Sequence, residues 1–481
     1  MKLTDLIKGI EPEKIVGNAA VEIDSVVIDS SSAGKGSLFI CLRGENADGT
    51  DFIPRAESYG AVAVLTERET DTPLVQIIVK NARTAMSVVA ANFYGNPAEK
   101  LKLVGVVGTN GKTTVSRLIY DGYTYAGVKC GLIGTLGSFY DGVTEEATLT
   151  TPDPLALNKT LSEMLSRGIT TVVMEVSAHA AYYDKLYGLK FEAGVFTNFS
   201  QDHLDFFKTM EDYENAKLKF FNENDCKYIV TSADDKTGLK IATLHPKAIT
   251  YGIDNPSDVF AIEVKERAGG TSFVINLFDC VFNVKLKLIG RFNVYNALAA
   301  ATALSLTGVA PKTAVEGLMK VKGVDGRLER VNCDDINVFV DYAHTPGGLS
   351  NVLKTLKNSY SGKLICVFGC GGNRDAKKRP LMGEISGKYA DFTVITSDNP
   401  RFEDPMDIIR EIEEGVLKVS KKYVIVEERA EGIRYALTLA KKGDVVLIAG
   451  KGAEKYQDVL GIKTPYNDKD TAINILRESG R

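Results

Sequence analysis

A chain of 481 residues is too long for one hydrophobic core, so two to four domains are expected. Its 44% hydrophobic and 25% charged residues suit an ordinary globular protein, and a net charge of −4 with scattered basic residues excludes a polyanion-binding surface, hence a nucleic-acid partner. No apolar run approaches the roughly 18 residues that span a bilayer, so no membrane insertion is expected, and the opening MKLTDLIKGIEPEK does not read as a signal peptide.

In chain order, short strands are expected over residues 25–29, 37–42, 62–66 and 75–79 and a helix over 82–94, with Tyr94-Gly95-Asn96-Pro97 as a turn at a domain boundary. Strands over 103–107, 171–176 and 193–197 then alternate with helices over 113–126 and 212–221, the rhythm of a parallel sheet with crossover helices. Residues 260–289 alternate apolar and polar side chains about Gly269-Gly270, which predicts an antiparallel hairpin at the sheet's side, followed by a helix over 294–306. From about Val331, strands over 338–340, 364–368, 393–396, 423–426 and 445–449 with helical patterns between them predict a second doubly wound domain. The expected class is α/β in three domains, residues 1–98, 99–330 and 331–481.

Seven scattered cysteines, an odd count without a CxxC pair, argue against a disulfide framework and for a reducing cytoplasm. Cys366 and Cys370 flank a predicted strand end; two thiols alone make a poor zinc site, so both are expected to be buried small hydrophobes.

After the strand over 103–107 comes Gly108-Thr109-Asn110-Gly111-Lys112-Thr113-Thr114, then a helix. Glycines let the backbone aim N–H groups at a phosphate, and the helix N-terminus adds partial positive charge. Lys112 can neutralise β- and γ-phosphate oxygens, and the Thr113 hydroxyl can ligate Mg²⁺. The full phosphate-loop pattern asks for Gly at position 106, where this chain has Val106, and the guanine-specifying NKxD signature is absent.

The strand over 171–176 carries Glu175 near its carboxyl end, where ligands of open parallel sheets collect. His203 lies between Asp202 and Asp205, which could orient its ring; a hydrogen-bonded core histidine is the plainer reading. Lys217 sits in an otherwise packed helix, where a lone lysine usually faces solvent.

Together these residues resemble the Mur ligases. The resemblance runs through Met174-Glu175-Val176-Ser177, Asn198, Asp202-His203-Leu204-Asp205, Tyr213-Glu214 with Ala216-Lys217, Asn293-Val294 with Asn296, Gly326-Arg327 and Asp341-Tyr342-Ala343-His344-Thr345-Pro346. It closes with two glycine turns, Gly369-Cys370-Gly371-Gly372-Asn373-Arg374-Asp375 and Gly450-Lys451-Gly452. The resemblance implies a uridine-precursor-binding N-terminal domain, a central ATP-binding domain and a Rossmann-like C-terminal domain that binds an amino acid. It implies that Glu175, His203 and a carbamylated Lys217 hold Mg²⁺ with Thr113, an uncarbamylated ammonium being repelled by the metal. Asn296 would contact adenine, and Arg327 and Asp341 would reach phosphates and ribose on domain closure.

The implied reaction activates a carboxylate by γ-phosphoryl transfer from ATP, and an amine then attacks the acyl phosphate, with Lys112 and Arg327 stabilising the transferred charge. Domain closure would keep water from the acyl phosphate. Among Mur ligases, Ile28-Asp29-Ser30, Leu38-Phe39 and Ala47-Asp48-Gly49 resemble the members that add the third peptide residue to a UDP-N-acetylmuramoyl dipeptide. Ser30, Glu45, Asn46 and Ala47 would touch the uridine nucleotide, and Thr150, Thr151, Ser177, Tyr183 and Lys185 the muramoyl peptide. Tyr183, Lys185 and Ser31 stand where the family pattern has Gln, Arg and Arg.

Asp398-Asn399-Pro400-Arg401 resembles the phrase of diaminopimelate-adding members. Diaminopimelate ends in a carboxylate and an ammonium, and Arg401 offers a planar fork to the carboxylate. Arg374 and Glu454 would complete the grip beside Gly450, with Ala453 where many members have His. A bland alternative makes Arg401 a helix-start residue paired with Glu403. The expected partners are UDP-N-acetylmuramoyl-L-alanyl-D-glutamate and meso-diaminopimelate, acted on by a monomer. L-lysine as the amine and a P-loop phosphotransferase remain as alternatives, the latter leaving Lys217 and the third domain unexplained.

Overall fold

The computed structural model describes residues 1–480 apart from Glu45, Asn46, Asn332 and Asp334. Its contacts divide the chain into two compact units, Met1–Val107 with Val128–Gly194 and Ala216–Ile229, and Gly108–Gly127 with Val195–Asn215 and Val230–Arg481.

In the first unit a five-stranded sheet runs in the order Lys14–Val16, Val75–Ile78, Ala61–Thr66, Ser37–Ile40, Ser25–Val27, parallel except for the edge strand Lys14–Val16. Helix Ala82–Phe93 is capped by Asn81, whose side chain accepts from Arg83 N and Thr84 N, and its Ala85, Met86 and Val89 fill the core with Leu38, Ile40 and Ile77. The same unit holds Lys102–Val107, Thr171–Val176 and Cys130–Gly134 in parallel pairing, with Val173 opposite both Val104 and Leu132. Strands buried on both faces read as unbroken apolar runs, which is how the sequence marked two of them. Gly105 is needed here because a Cβ would meet the Phe220 ring at 2.7 Å; Phe191 and Phe220 pack edge to face in that space.

In the second unit, Ile249–Gly252 pairs in parallel with Val259–Arg267, which opens a three-strand antiparallel meander with Gly270–Leu277 and Cys280–Leu286. The predicted single hairpin is therefore one strand short: Phe278 and Asp279 form a second reversal at φ 51° and 62°, a turn the Gly-based reading missed. A six-stranded sheet follows in the order Glu329–Val331, Asn337–Asp341, Val445–Ala449, Leu364–Phe368, Phe392–Ile395, Tyr423–Ile425, parallel after its first, antiparallel pair. Apolar clusters cover both faces, one centred on Leu349, Leu353, Ile409 and Ile412, the other on Ile433, Ala436, Ala472 and Leu476. That is the doubly wound α/β arrangement expected from the sequence. The hairpin Tyr456–Val459 with Ile462–Pro465 was not foreseen, because its strands are largely exposed and lack an apolar stripe. The described cysteines are all free, and Cys366 and Cys370 are buried as expected.

Candidate active site

The phosphate loop joins strand Lys102–Val107 to helix Lys112–Tyr125. Gly111 sits at φ 86°, and a Cβ there would meet Asn296 Oδ1 at 2.6 Å, so only glycine fits. Asn198 grips the loop: its Oδ1 accepts from Asn110 N at 3.0 Å, its Nδ2 donates to Asn110 O at 3.0 Å, and its carbonyl accepts from Thr109 N at 2.8 Å. Lys112 Nζ donates to the carbonyls of Gly108 and Thr109, both at 2.9 Å. Thr113 and Thr114 are buried in the helix's first turn, and Val106 is fully buried strand. Asn296 lies buried beneath the loop with Nδ2 on Asn293 Oδ1 at 2.9 Å.

Arg327 belongs to the same cluster. Its Nη2 donates to Thr113 Oγ1 at 2.9 Å and its guanidinium lies 4.3 Å from the centre of the Tyr342 ring. Asp341 is turned to the backbone, accepting from Leu328 N at 2.6 Å and Ala343 N at 2.8 Å, which fixes the linker that presents Arg327. Burial raises the Asp341 carboxyl above its ordinary range, against the lowering effects of Arg327 and those two N–H groups.

His203 is held in the left-handed region at φ 54°, with Nε2 3.4 Å from Asp202 Oδ2. The His344 ring approaches the same oxygen at 3.6 Å, and its Nδ1 bonds Tyr342 O at 2.8 Å. Burial pushes the Asp202 carboxyl up, but His344, His203 and Lys378 outweigh it and hold it well below the usual carboxylate range. Asp202 thus orients His203 as expected, while Asp205 faces Arg374 at 3.9 Å. The shared contact with His344 was not foreseen; its signal was the histidine in the Asp341-Tyr342-Ala343-His344 phrase.

In the first unit Glu175 is buried, and Thr135 fixes both of its oxygens, N to Oε1 at 2.9 Å and Oγ1 to Oε2 at 3.0 Å. Thr135 was missed because nothing in its sequence surroundings marks it. Thr151 Oγ1 donates to Glu175 O at 2.9 Å and accepts from Ser177 N at 3.0 Å, and Thr150 Oγ1 lies 3.1 Å from Thr135 Oγ1, so Thr150, Thr151 and Ser177 lie together around Glu175. Lys185 pairs with Asp153 at 2.6 Å, and Tyr183 stacks beneath the Arg83 guanidinium at 4.2 Å. Ser30 is buried and Ala47 exposed; Glu45 and Asn46 lie outside the described residues.

Lys217 is 1% exposed, which corrects the solvent-facing reading. Its helix, Met210–Glu223, is docked by Phe220 and Phe221, which close on Gly105 and Gly194. Carbamylation of Lys217 would give its side chain a carboxylate-like end able to ligate a metal. The residues expected to hold Mg²⁺ are Glu175 and a carbamylated Lys217, both in the first unit, and Thr113 and His203, both in the second; three of the four would offer oxygen, the donor Mg²⁺ prefers. Among the described residues no group of three or more His, Cys, Asp or Glu side chains is arranged to hold a metal, and this set supplies two of those types plus a threonine and a lysine.

The C-terminal glycine turns gather a further cluster. Gly450 lies at φ 116°, and a Cβ there would meet Asp398 Oδ2 at 2.7 Å. Arg401, at φ 53°, follows buried Asn399 and Pro400 and donates from Nη1 to Gly372 O at 2.7 Å. The alternative of a helix-start Arg401 paired with Glu403 is corrected: the helix begins at Pro405, and Glu403 pairs with Arg379 at 2.8 Å. Glu454 Oε2 accepts from Asn399 Nδ2 at 2.9 Å. Arg374 is half exposed on the neighbouring glycine turn.

Family comparison matches residues 22–96 to the Mur ligase family catalytic domain, 106–304 to the Mur ligase middle domain and 326–452 to the Mur ligase glutamate ligase domain. A UDP-N-acetylmuramoyl-L-alanyl-D-glutamate–2,6-diaminopimelate ligase of Caldanaerobacter subterraneus subsp. tengcongensis is 43% identical over 483 residues, covering 100% of each chain. A solved structure of a ligase of the same name superposes with a TM-score of 0.71 at 31% identity, covering 100% of this chain and 99% of the other. The MurF ligase of Thermotoga maritima, solved in complex with ADP, shares the fold at a TM-score of 0.63 and 20% identity, covering 95% of this chain and 97% of that one.

Proposed function

The chain belongs to the Mur ligase family, and we propose that it is an ATP-dependent ligase joining meso-2,6-diaminopimelate to the D-glutamate γ-carboxyl of UDP-N-acetylmuramoyl-L-alanyl-D-glutamate, a step of peptidoglycan synthesis. The observation that carries this reading is the cluster in which Arg401 and Glu454, opposite charges on two loops, are tied together through Asn399 and Asp458. A carboxylate and an ammonium on one carbon suit such a pair, and L-lysine would offer Arg401 no carboxylate.

The chemistry follows from the residues. The γ-phosphoryl group of ATP passes to the substrate carboxylate, giving an acyl phosphate and ADP. The amine attacks its carbonyl carbon, and phosphate leaves as the amide forms. Lys112 and Arg327 offset charge on the transferred group. Thr113, Glu175, His203 and carbamylated Lys217 would hold Mg²⁺, which supplies Lewis-acid neutralisation of phosphate oxygens. Asn296 and Asp341 serve the nucleoside end of ATP, and Ser30, Ala47, Thr150, Thr151, Ser177, Tyr183 and Lys185 the uridine precursor. We keep the division at residues 98 and 330; the first falls between the matched segments 22–96 and 106–304, and the second lies just inside the third, 326–452. A cytoplasmic site fits ATP and a nucleotide-linked substrate; among the described residues no helix is long and apolar enough to cross a membrane.

The test supplies ATP, magnesium, the UDP-linked dipeptide and one amino acid at a time. Phosphate release is expected with meso-diaminopimelate and little with L-lysine. Equal rates would defeat the argument from Arg401, and release independent of any amino acid would favour a phosphotransferase.

A further inference from the structure

Lys451 is fully buried, a place where an ammonium group survives only if its donors are met. Its Nζ donates to Asn399 Oδ1 at 2.8 Å and to Glu454 Oε2 at 2.9 Å, and sits 5.7 Å from the centre of the Tyr456 ring. Asn399 closes a triangle: its Nδ2 donates to the same Glu454 oxygen at 2.9 Å, and its Oδ1 also accepts from Asp458 N at 3.0 Å. The amide orientation is forced, since a flipped Asn399 would turn its NH₂ toward the ammonium. Both donors fall on Oε2, so the carboxylate plane is set and Oε1 remains for a further donor; the Glu454 side chain is 23% exposed.

The backbone of this loop does not depend on the lysine side chain. Gly450 N donates to Asp341 O at 3.0 Å, Glu454 N to Lys451 O at 3.0 Å, and Gln457 Nε2 to Asp398 O at 2.8 Å. What the side chain adds is the orientation of two polar groups that face one another across two loops.

We propose that Lys451 is a positioning residue for the amino-acid pocket, a buried cation that sets Glu454 and Asn399 so that Glu454 Oε1 meets the distal ammonium of the incoming amino acid. This rests on the reading above that assigns Asn399 and Glu454 to that pocket. The lysine neutralises one carboxylate oxygen and hydrogen-bonds it, so the ligand ammonium binds a fixed acceptor and no ordering of Glu454 is left to do on binding.

The test is steady-state phosphate release by the full chain carrying Lys451→Met. The KM for meso-diaminopimelate should rise about tenfold or more, the loss expected of a buried charged hydrogen bond, while the KM values for ATP and the UDP-linked dipeptide stay within about twofold. Because Lys451 acts through Glu454, Lys451→Met combined with Glu454→Gln should be no worse than Glu454→Gln alone. Lys451→Arg, which keeps a buried cation, should restore part of the affinity, and it stands in for the methionine variant in the same cycle if that variant does not fold. An unchanged KM for the amino acid, equal rises for all three substrates, or additive losses in the double variant would overturn the proposal. If the wild type works only with L-lysine, the choice of amine is wrong, and the same criteria apply to Lys451 with the KM for L-lysine.

Discussion

Arg327 donates to Thr113 across 214 residues of sequence, at 2.9 Å. The contact sets a guanidinium from the linker before the C-terminal sheet on the first turn of the phosphate-loop helix. Stacking on Tyr342 and the Asp341 brace hold it there. Arg327→Ala should lower kcat about a hundredfold or more with little change in melting temperature, as loss of one donor to transition-state charge does. Rapid-quench measurement of acyl-phosphate formation checks it, and near-normal turnover would remove Arg327 from the chemistry.

Lys217→Ala should abolish turnover, and added bicarbonate should not restore it, because alanine offers no amine to carbamylate. The buried position of Lys217 makes a purely structural effect the competing account, so thermal melting is measured alongside. Unchanged turnover would sink the carbamate assignment.

Thr135→Val keeps shape but removes the hydroxyl that donates to Glu175 Oε2. If Glu175 ligates Mg²⁺, loosening it should weaken apparent magnesium affinity about tenfold, the usual cost of losing a group that orients a ligand. A magnesium titration of phosphate release at fixed ATP reads this. An unshifted midpoint would mean that Glu175 does another job.

Arg401→Leu should raise the KM for meso-diaminopimelate strongly while leaving the residual rate with L-lysine near its wild-type value. The two amino acids would then converge in kcat/KM, because the carboxylate proposed to meet Arg401 is the group L-lysine lacks. Competition assays with both amino acids measure the ratio directly.

Thiol reactivity should follow burial. Burial pushes the Cys41, Cys226, Cys366 and Cys370 thiols up to about 12, so their thiolate fraction stays negligible across neutral pH, whereas Cys280 is exposed. Native labelling at neutral pH should mark Cys280 before the other four. Peptide mapping after timed labelling decides it.

Much of this architecture was legible in the sequence because buried parallel strands are continuous apolar runs. Thr171–Val176, Leu364–Phe368 and Val445–Ala449 were bounded correctly from pattern alone. The Gly108–Thr114 loop was legible for a related reason: glycines at fixed spacing between a strand and a helix leave few other conformations. The exposed hairpin at Tyr456–Val459 was not, since its strands carry no apolar stripe to go with Gly461 at its turn, and the extra reversal at Phe278–Asp279 was not, since it has no glycine.

The sequence by itself determined the family, the phosphate loop and the kinds of charged side chain the chemistry needs, because these depend on residue type at short spacing. Only the tertiary structure decided that Lys217 is buried, that Thr135 fixes Glu175, that Asp202 serves two histidines and that Lys451 links Asn399 to Glu454. Those facts join residues far apart along the chain. Which distant groups share a desolvated space is set by packing of whole sheets and helices, and no local pattern carries that information.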